Sequence, residues 1–261
     1  MTGLSVIIIT KNEAQNIEAC LRSVSFADQI VVLDSGSTDG TQTLVRNSGA
    51  QLEENSDWRG FGIQKNRALA FAFSEWVLSI DADERVTPVL ELEIKAAIAR
   101  ETFEVYDFPR LSSYCGTYMR HSGWYPDRVT RLFRRGSAEF STELVHEKLV
   151  TQKPVGHLRE NLLHESFHNF EAVMDKANRY STAGAHMLLA RGRTASPGRA
   201  LAHGFWAFFR TYILKLGFLD GRMGLVLAIS NAEGTYYRYL KLWLLRRSRG
   251  ATLPVEGQRQ E

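Results

Sequence analysis

The chain has 261 residues, 44% hydrophobic and 23% charged, with a net charge of +3. This is the make-up of a globular protein able to bury a large core, and it excludes a disordered chain. Cys20 and Cys115 lie far apart and form no CxxC pair, which argues against a disulfide framework or structural zinc and fits a reducing compartment.

The N-terminus, MTGLSVIIITKNE, has no basic leader before its apolar run, so it reads as a buried strand rather than a signal peptide. No uncharged apolar run approaches the ~18 residues that a bilayer span needs. LSVIIIT (4–10) is β-branched and nearly continuous, the pattern of a strand covered on both faces. Ile17, Cys20, Leu21 and Val24 then recur at helical spacing. QIVVLDS (29–35) is a second strand, residues 37–40 a turn and 41–48 a second helix. A short third strand at 51–53, a helix over 60–73 and a strand EWVLSI (75–80) follow. This alternation predicts an α/β fold: a Rossmann-like, mostly parallel sheet with flanking crossover helices. Ligands of such sheets bind at the carboxyl ends of the strands. Polar residues cluster at those ends: Thr10, Asn12 and Glu13 after the first strand, Asp34 and Ser35 after the second, Asp81 and Asp83 after the fourth.

A helix over 89–100 precedes a mixed region, where VYDFPRL and TRLFRR are strands of a partly antiparallel layer. Residues 169–190 are helical, and 194–198 form a linker or bend. From Arg191 to Arg249 there are eleven Lys/Arg against two acids, Asp220 and Glu233, among many aromatics. The expected organisation is a catalytic domain over 1–190, a basic amphipathic helical segment over 191–250 and a loose tail over 251–261.

Two stretches carry chemistry. In SIDADER (79–85), Asp81 and Asp83 leave the end of an apolar strand together. Carboxylates two apart on an extended chain point the same way, and like charges so close need something positive between them. A divalent cation, Mg²⁺ or Mn²⁺, is the expected partner; the bland alternative is a surface loop. DSGSTDGT (34–41) joins a strand to a helix start, where backbone N–H groups can hold an anion. Ser, Thr and Asp also simply cap helices. The acid at Asp34 favours a ribose or base contact over a phosphate. A Walker A loop and GxGxxG are absent.

Together TKNE (10–13), DSGSTDGT (34–41), QKNRAL (64–69) and SIDADER (79–85) resemble, in order and spacing, the inverting family 2 glycosyltransferases of the GT-A fold. GWYPDRVTRLFRR (123–135), VHEKL (145–149), KLGFLDGRMG (215–224) and YYRYLKLW (236–243) resemble one branch, the lipopolysaccharide core β-1,4-glucosyltransferases. The downstream Gln-x-x-Arg-Trp signature of processive members is absent.

The resemblance implies transfer of a hexose, glucose from UDP-glucose, to a lipid-linked inner-core oligosaccharide. It implies that Thr10, Asn12 and Glu13 line the nucleotide pocket, that Asp34 and Ser35 lie at the uracil or ribose, and that Lys65 sits near the diphosphate. Asp81 meets the donor, and Asp81 and Asp83 hold the metal. Inversion needs a base on the acceptor hydroxyl; the candidates are Glu147, Asp127 and Glu143, with Glu147 favoured and His146 beside it. An ion pair with Arg131, Arg134 or Arg135 is the bland alternative for Glu147. Those arginines and Arg128 suit acceptor phosphates or carboxylates. Trp124 and Tyr125 suit a sugar face or a packed aromatic turn. The basic, aromatic C-terminal segment suits an anionic membrane surface, with packing on the domain or dimerisation as alternatives, and no nucleic-acid module is recognisable. The enzyme is then expected to be cytoplasmic and peripheral, on the inner face of the bacterial inner membrane. Competing readings are a capsule, exopolysaccharide or protein acceptor, or a non-catalytic sugar-nucleotide-binding scaffold docked on the membrane.

Overall fold

The computed structural model describes residues 3–142 and 147–250. In chain order the elements are β1 (Leu4–Thr10), α1 (Ile17–Ser23), β2 (Gln29–Asp34), α2 (Thr41–Ser48), β3 (Gln51–Glu54), α3 (Phe61–Ala70), β4 (Trp76–Asp81), β5 (Glu84–Val86) and α4 (Pro88–Arg100). Then come β6 (Val105–Tyr114), β7 (Thr117–Tyr118), β8 (Asp127–Arg134), β9 (Glu139–Phe140), β10 (Leu149–Val150), β11 (Val155–His157) and β12 (Leu162–Phe167). The helices α5 (Phe170–Ala190), α6 (Pro197–Phe209) and α7 (Gly221–Gly250) complete the described residues, with a π turn over Arg210–Leu214 and a 3₁₀ turn over Gly217–Asp220 between the last two.

The described residues divide into two compact units, one over 3–112 and 126–166, the other over 113–125 and 167–250. The boundary expected near residue 190 falls inside the second unit, because α5 packs along α7. The tail expected over 251–261 lies outside the described residues.

In the first unit β3, β2, β1 and β4 run parallel in that order, and β8 and β6 continue the sheet antiparallel. β1 explains the arrangement. Its side chains alternate: Val6 and Ile8 enter one core with Ile17, Leu21, Leu78 and Ile94, while Ile7 and Ile9 enter the other with Val31, Val77 and Phe133. A strand apolar on both faces must be central, with helices over each side. Burying each such side chain stabilises the fold by about 1.5–3 kcal/mol. The register sets Thr10 beside Asp34 and Ile9 beside Asp81, so the strand ends finish at one level. β5 is an element the sequence did not announce; it pairs antiparallel with β12, setting His164 opposite Glu84.

The starts of α4, α5 and α6 follow ordinary capping chemistry. Thr87 Oγ1 accepts from Leu90 N before Pro88 opens α4, Asn169 Oδ1 accepts from Ala172 N at α5, and Ser196 Oγ accepts from Arg199 N before Pro197 opens α6.

The second unit has its own core of Tyr114, Met119, Val173 and Leu227, with Trp124 and Phe167 packed on it. Trp124 meets Tyr114 edge to face at 5.7 Å, so it belongs to a packed aromatic turn. The Asp220 carboxylate accepts from Arg120 N, His121 N and Ser122 Oγ, which makes the KLGFLDGRMG segment a structural clasp. No helix among the described residues is long and apolar enough to cross a membrane.

Candidate active site

The loops after β1 and β2 are sewn together by their own polar groups. Asn12, at φ 57°, donates its N–H to Ser37 Oγ and accepts from Thr38 N, each at 2.8 Å. Glu13 N donates to Thr41 Oγ1 at 2.9 Å, and Ala14 N to Asp39 at 3.0 Å. Asp34 is fully buried and accepts from Gly36 N, Ser37 N, Ser37 Oγ and Gln42 Nε2. Ser35 is buried too, accepting from Gln64 Nε2. Asp34 thus folds the turn upon itself, while α2 begins after Gly40 without a side-chain cap. Asp34 and Ser35 shape this wall from behind and do not line the cavity in front of it.

That cavity, of about 650 Å³, opens at the carboxyl ends of β1 and β4. Thr10, Asn12 and Glu13 line one side, Asp81 and Asp83 another. Trp58 and Phe61, packed edge to face at 4.8 Å and about half exposed, form an aromatic wall. His164 completes the lining, reached from β12. Its Nε2 lies 3.2 Å from Asp83 Oδ2, while Nδ1 meets the hydroxyls of Ser112 and Ser166, each at 2.9 Å. An imidazole oriented through one nitrogen presents the other as a ligand.

Asp81 and Asp83 both line this cavity, one at the end of β4 and one in the turn that follows. The chain turns after Asp81, and Arg85 fixes the turn by donating to the carbonyls of Ala82 and Asn16. The positive groups beside Asp81 are side chains: Lys65 Nζ at 3.0 Å and Arg131 at 2.6 Å. Burial opposes its charged form, but Arg131 and Lys65 outweigh burial and hold this carboxyl well below the usual carboxylate range. Among the described residues no three His, Cys, Asp or Glu side chains converge as a ready metal cage. Asp81, Asp83 and His164 all line the cavity, and carboxylate and imidazole are donors that suit a divalent cation.

Behind Asp81 runs a row of alternating charges. Glu147 pairs with Lys65 (3.2 Å), Lys65 with Asp81, Asp81 with Arg131, Arg131 with Glu84 (3.1 Å), Glu84 with Arg110 (3.2 Å), and Arg110 with Asp127 (2.6 Å). Glu84 is completely buried and also accepts from Asp81 N at 2.8 Å. The two base candidates among the described residues, Glu147 and Asp127, are thus the two ends of one row. They differ in surroundings. Asp127 gives one oxygen to two donors of Arg110, whereas Glu147 lines a second cavity of about 420 Å³ together with Lys65, Asp81, Arg128 and Arg131. Asp81 borders both cavities. Gly62 makes this meeting possible: a Cβ there would lie 1.8 Å from the Ser141 carbonyl, so only glycine lets α3 approach the segment beside Glu147.

Of the other expected residues, Lys65 stands at the second cavity, away from the lining of the first. Arg131 is a buried strut, Arg128 pairs with Asp107 and Arg134 with Glu75. Glu143 and His146 lie outside the described residues. Sequence reasoning missed His164, Glu84, Trp58 and Phe61. The apolar-polar run LLHESF and the aromatic-glycine stretch WRGFG were the available signals.

A sequence model of the family described as "Glycosyl transferase family 2" matches residues 5–157. The chain is 32% identical over 260 residues to the lipopolysaccharide core biosynthesis glycosyltransferase LpsC of Rhizobium meliloti, covering 91% of this chain and 89% of that one. It is 30% identical over 261 residues to an uncharacterized glycosyltransferase of Rickettsia felis, covering 95% and 91%. A solved structure of S. aureus TarS 1-349 in complex with UDP aligns over 95% of this chain and 92% of that one at 16% identity, with a TM-score of 0.48. With the family model matching more than half of its length, the chain belongs to glycosyl transferase family 2.

Proposed function

We propose that the chain is an inverting hexosyltransferase that moves glucose from UDP-glucose onto a lipid-linked oligosaccharide of the lipopolysaccharide inner core. One observation carries this reading: Asp81 separates two cavities, one suited to a nucleotide-sugar and one holding a carboxylate at the acceptor side. In the larger cavity Trp58 and Phe61 offer a face for the base, and Asp83 and His164 stand where they would hold Mg²⁺ or Mn²⁺. When bound, the cation would neutralise charge on the departing diphosphate. Thr10, whose buried hydroxyl finds no hydrogen-bond partner among the described residues, lines this cavity.

Glu147 is the base. It takes the proton from the acceptor hydroxyl as that oxygen attacks the anomeric carbon and the bond to the diphosphate breaks on the opposite face. Lys65 holds Glu147 beside Asp81, and Arg131, itself fixed by Glu84, holds Asp81 from the other side. The acceptor class is supported by the likeness to LpsC. A peripheral place on the inner membrane face is supported by the second unit, where Leu201, Phe205, Trp206, Leu214 and Leu219 are each more than half exposed among basic residues.

The test is calorimetric binding of UDP-glucose with Mn²⁺, with EDTA, and to Asp83→Ala. Binding is expected only with metal, and Asp83→Ala is expected to weaken it by roughly 10²-fold or more, the scale of losing one partner of a charged site. Equal affinity in EDTA, or for Asp83→Ala, would remove the donor-site assignment.

A further inference from the structure

The helical unit contains a cavity of about 450 Å³ framed by α5, α6, the π turn and α7. Its lining includes Arg210, Arg238 and His203 but no aspartate or glutamate. Arg238 makes the point sharply: its Nε is buried and finds no hydrogen-bond partner among the described residues. A buried donor left unsatisfied costs about 1–3 kcal/mol, more when charged, so a fold that keeps one has a use for it. The guanidinium stem lies over Gly184 of α5, where an added Cβ would come within 2.7 Å of that same Nε. Glycine there gives Arg238 its place.

The rest of the lining says what kind of anion fits. His203 and Tyr239 are stacked at 3.9 Å with their planes 4° apart, and Trp206 and Tyr180 add aromatic wall, both more than half exposed toward the mouth. Two guanidiniums suit the planar, bidentate recognition of a phosphate. The aromatic walls suit an apolar or ring-bearing group attached to it.

We propose that the helical unit carries a phosphate-group binding site of its own, with Arg238 and Arg210 as the anion contacts and the His203–Tyr239 stack as the wall for the attached group. The chemistry is common to a phospholipid headgroup and to a free phosphate, and the site does not rest on the donor-site reading. The experiment is calorimetric titration of the full chain with inorganic phosphate, with dihexanoyl phosphatidylglycerol below its micelle concentration, and with glycerol as the uncharged control. At least one phosphate probe binds and glycerol does not. Phosphate binding as well as the lipid assigns a free phosphate; lipid binding alone assigns a headgroup. Arg238→Gln and Arg210→Gln each weaken binding at least tenfold and leave UDP binding intact, which shows that the fold survives. Gly184→Ala, which displaces Arg238 without removing charge, weakens it as well and carries the test if an arginine variant fails to fold. Absence of binding by both phosphate probes, or affinity unchanged in the variants that fold, overturns the proposal.

Discussion

In the sheet unit, Lys65, Arg110 and Arg131 each meet two carboxylates within 3.2 Å; in the helical unit, Arg210 and Arg238 meet none among the described residues. The same residue types are thus used in opposite ways. Buried charge that is fully paired is expensive to disturb and cheap to keep in one geometry, which suits a site where atoms must be held for a reaction. In the helical unit Arg210 is exposed and Arg238 half-buried, and the Nε of Arg238 is a buried donor with no partner among the described residues. Substitutions should separate the two: those in the row should alter chemistry or stability, and those in the helical unit should alter attachment.

The largest effect is expected at the end of the row. Glu147→Gln keeps the shape but cannot take a proton, so kcat should fall by roughly 10²–10⁴-fold, the usual range for a lost general base. Asp127→Asn, at the other end, should cost less than about tenfold, because the carboxylate serves Arg110 and does not line the acceptor cavity. Steady-state kinetics with UDP-glucose and an inner-core acceptor measures both. Equal losses, or a greater loss for Asp127→Asn, would reverse the assignment.

Next comes Glu84. It is completely buried and receives Arg110, Arg131 and the Asp81 N–H. Glu84→Gln leaves two guanidiniums short of charge and should lower unfolding free energy by about 3 kcal/mol, as breaking buried pairs does. Urea denaturation reads it directly. A shift below about 1 kcal/mol would mean the row relaxes around the gap and is less rigid than its distances suggest.

The row also marks where the sequence stops being legible. β1, β2 and β4 can be read from their apolar runs, because period and burial are local properties. The polar residues at the strand ends can be read because ligands of parallel sheets bind there. Two of them, Asp34 and Ser35, are buried and accept hydrogen bonds from within the protein, Asp34 from residues 36–42 and Ser35 from Gln64 on α3. What decides the site is non-local. Asp83 meets His164 across 81 residues of sequence, Lys65 meets Glu147 across 82, and Arg131 meets Asp81 across 50. No spacing rule reaches that far. The pairing of β5 with β12, which brings His164 in, rests on two short strands without distinctive turns.

A smaller effect tests the helical side. Phe205 is 73% exposed on α6. Phe205→Asp adds charge where an apolar ring would enter a bilayer interface and should weaken binding to anionic vesicles roughly tenfold, with UDP binding unchanged. Vesicle co-sedimentation at constant salt decides it. Undiminished vesicle binding would move the membrane face elsewhere on the chain.

The smallest effect is a pH dependence, and its sign follows from Asp81. Burial would raise this carboxyl, but Arg131 and Lys65 hold it below its ordinary value. A group whose folded value is depressed contributes stability that is complete above the unfolded value near 3.8 and is lost as pH falls toward the folded one. Wild type should therefore exceed Asp81→Asn by a constant margin from about pH 5 to 8, and the margin should narrow below about pH 4. Urea midpoints at pH 3, 5 and 7 follow the difference. A margin that changes between pH 5 and 8 would mean that Asp81 takes up a proton in the working range. The row would then be a titrating switch rather than a fixed frame for the site.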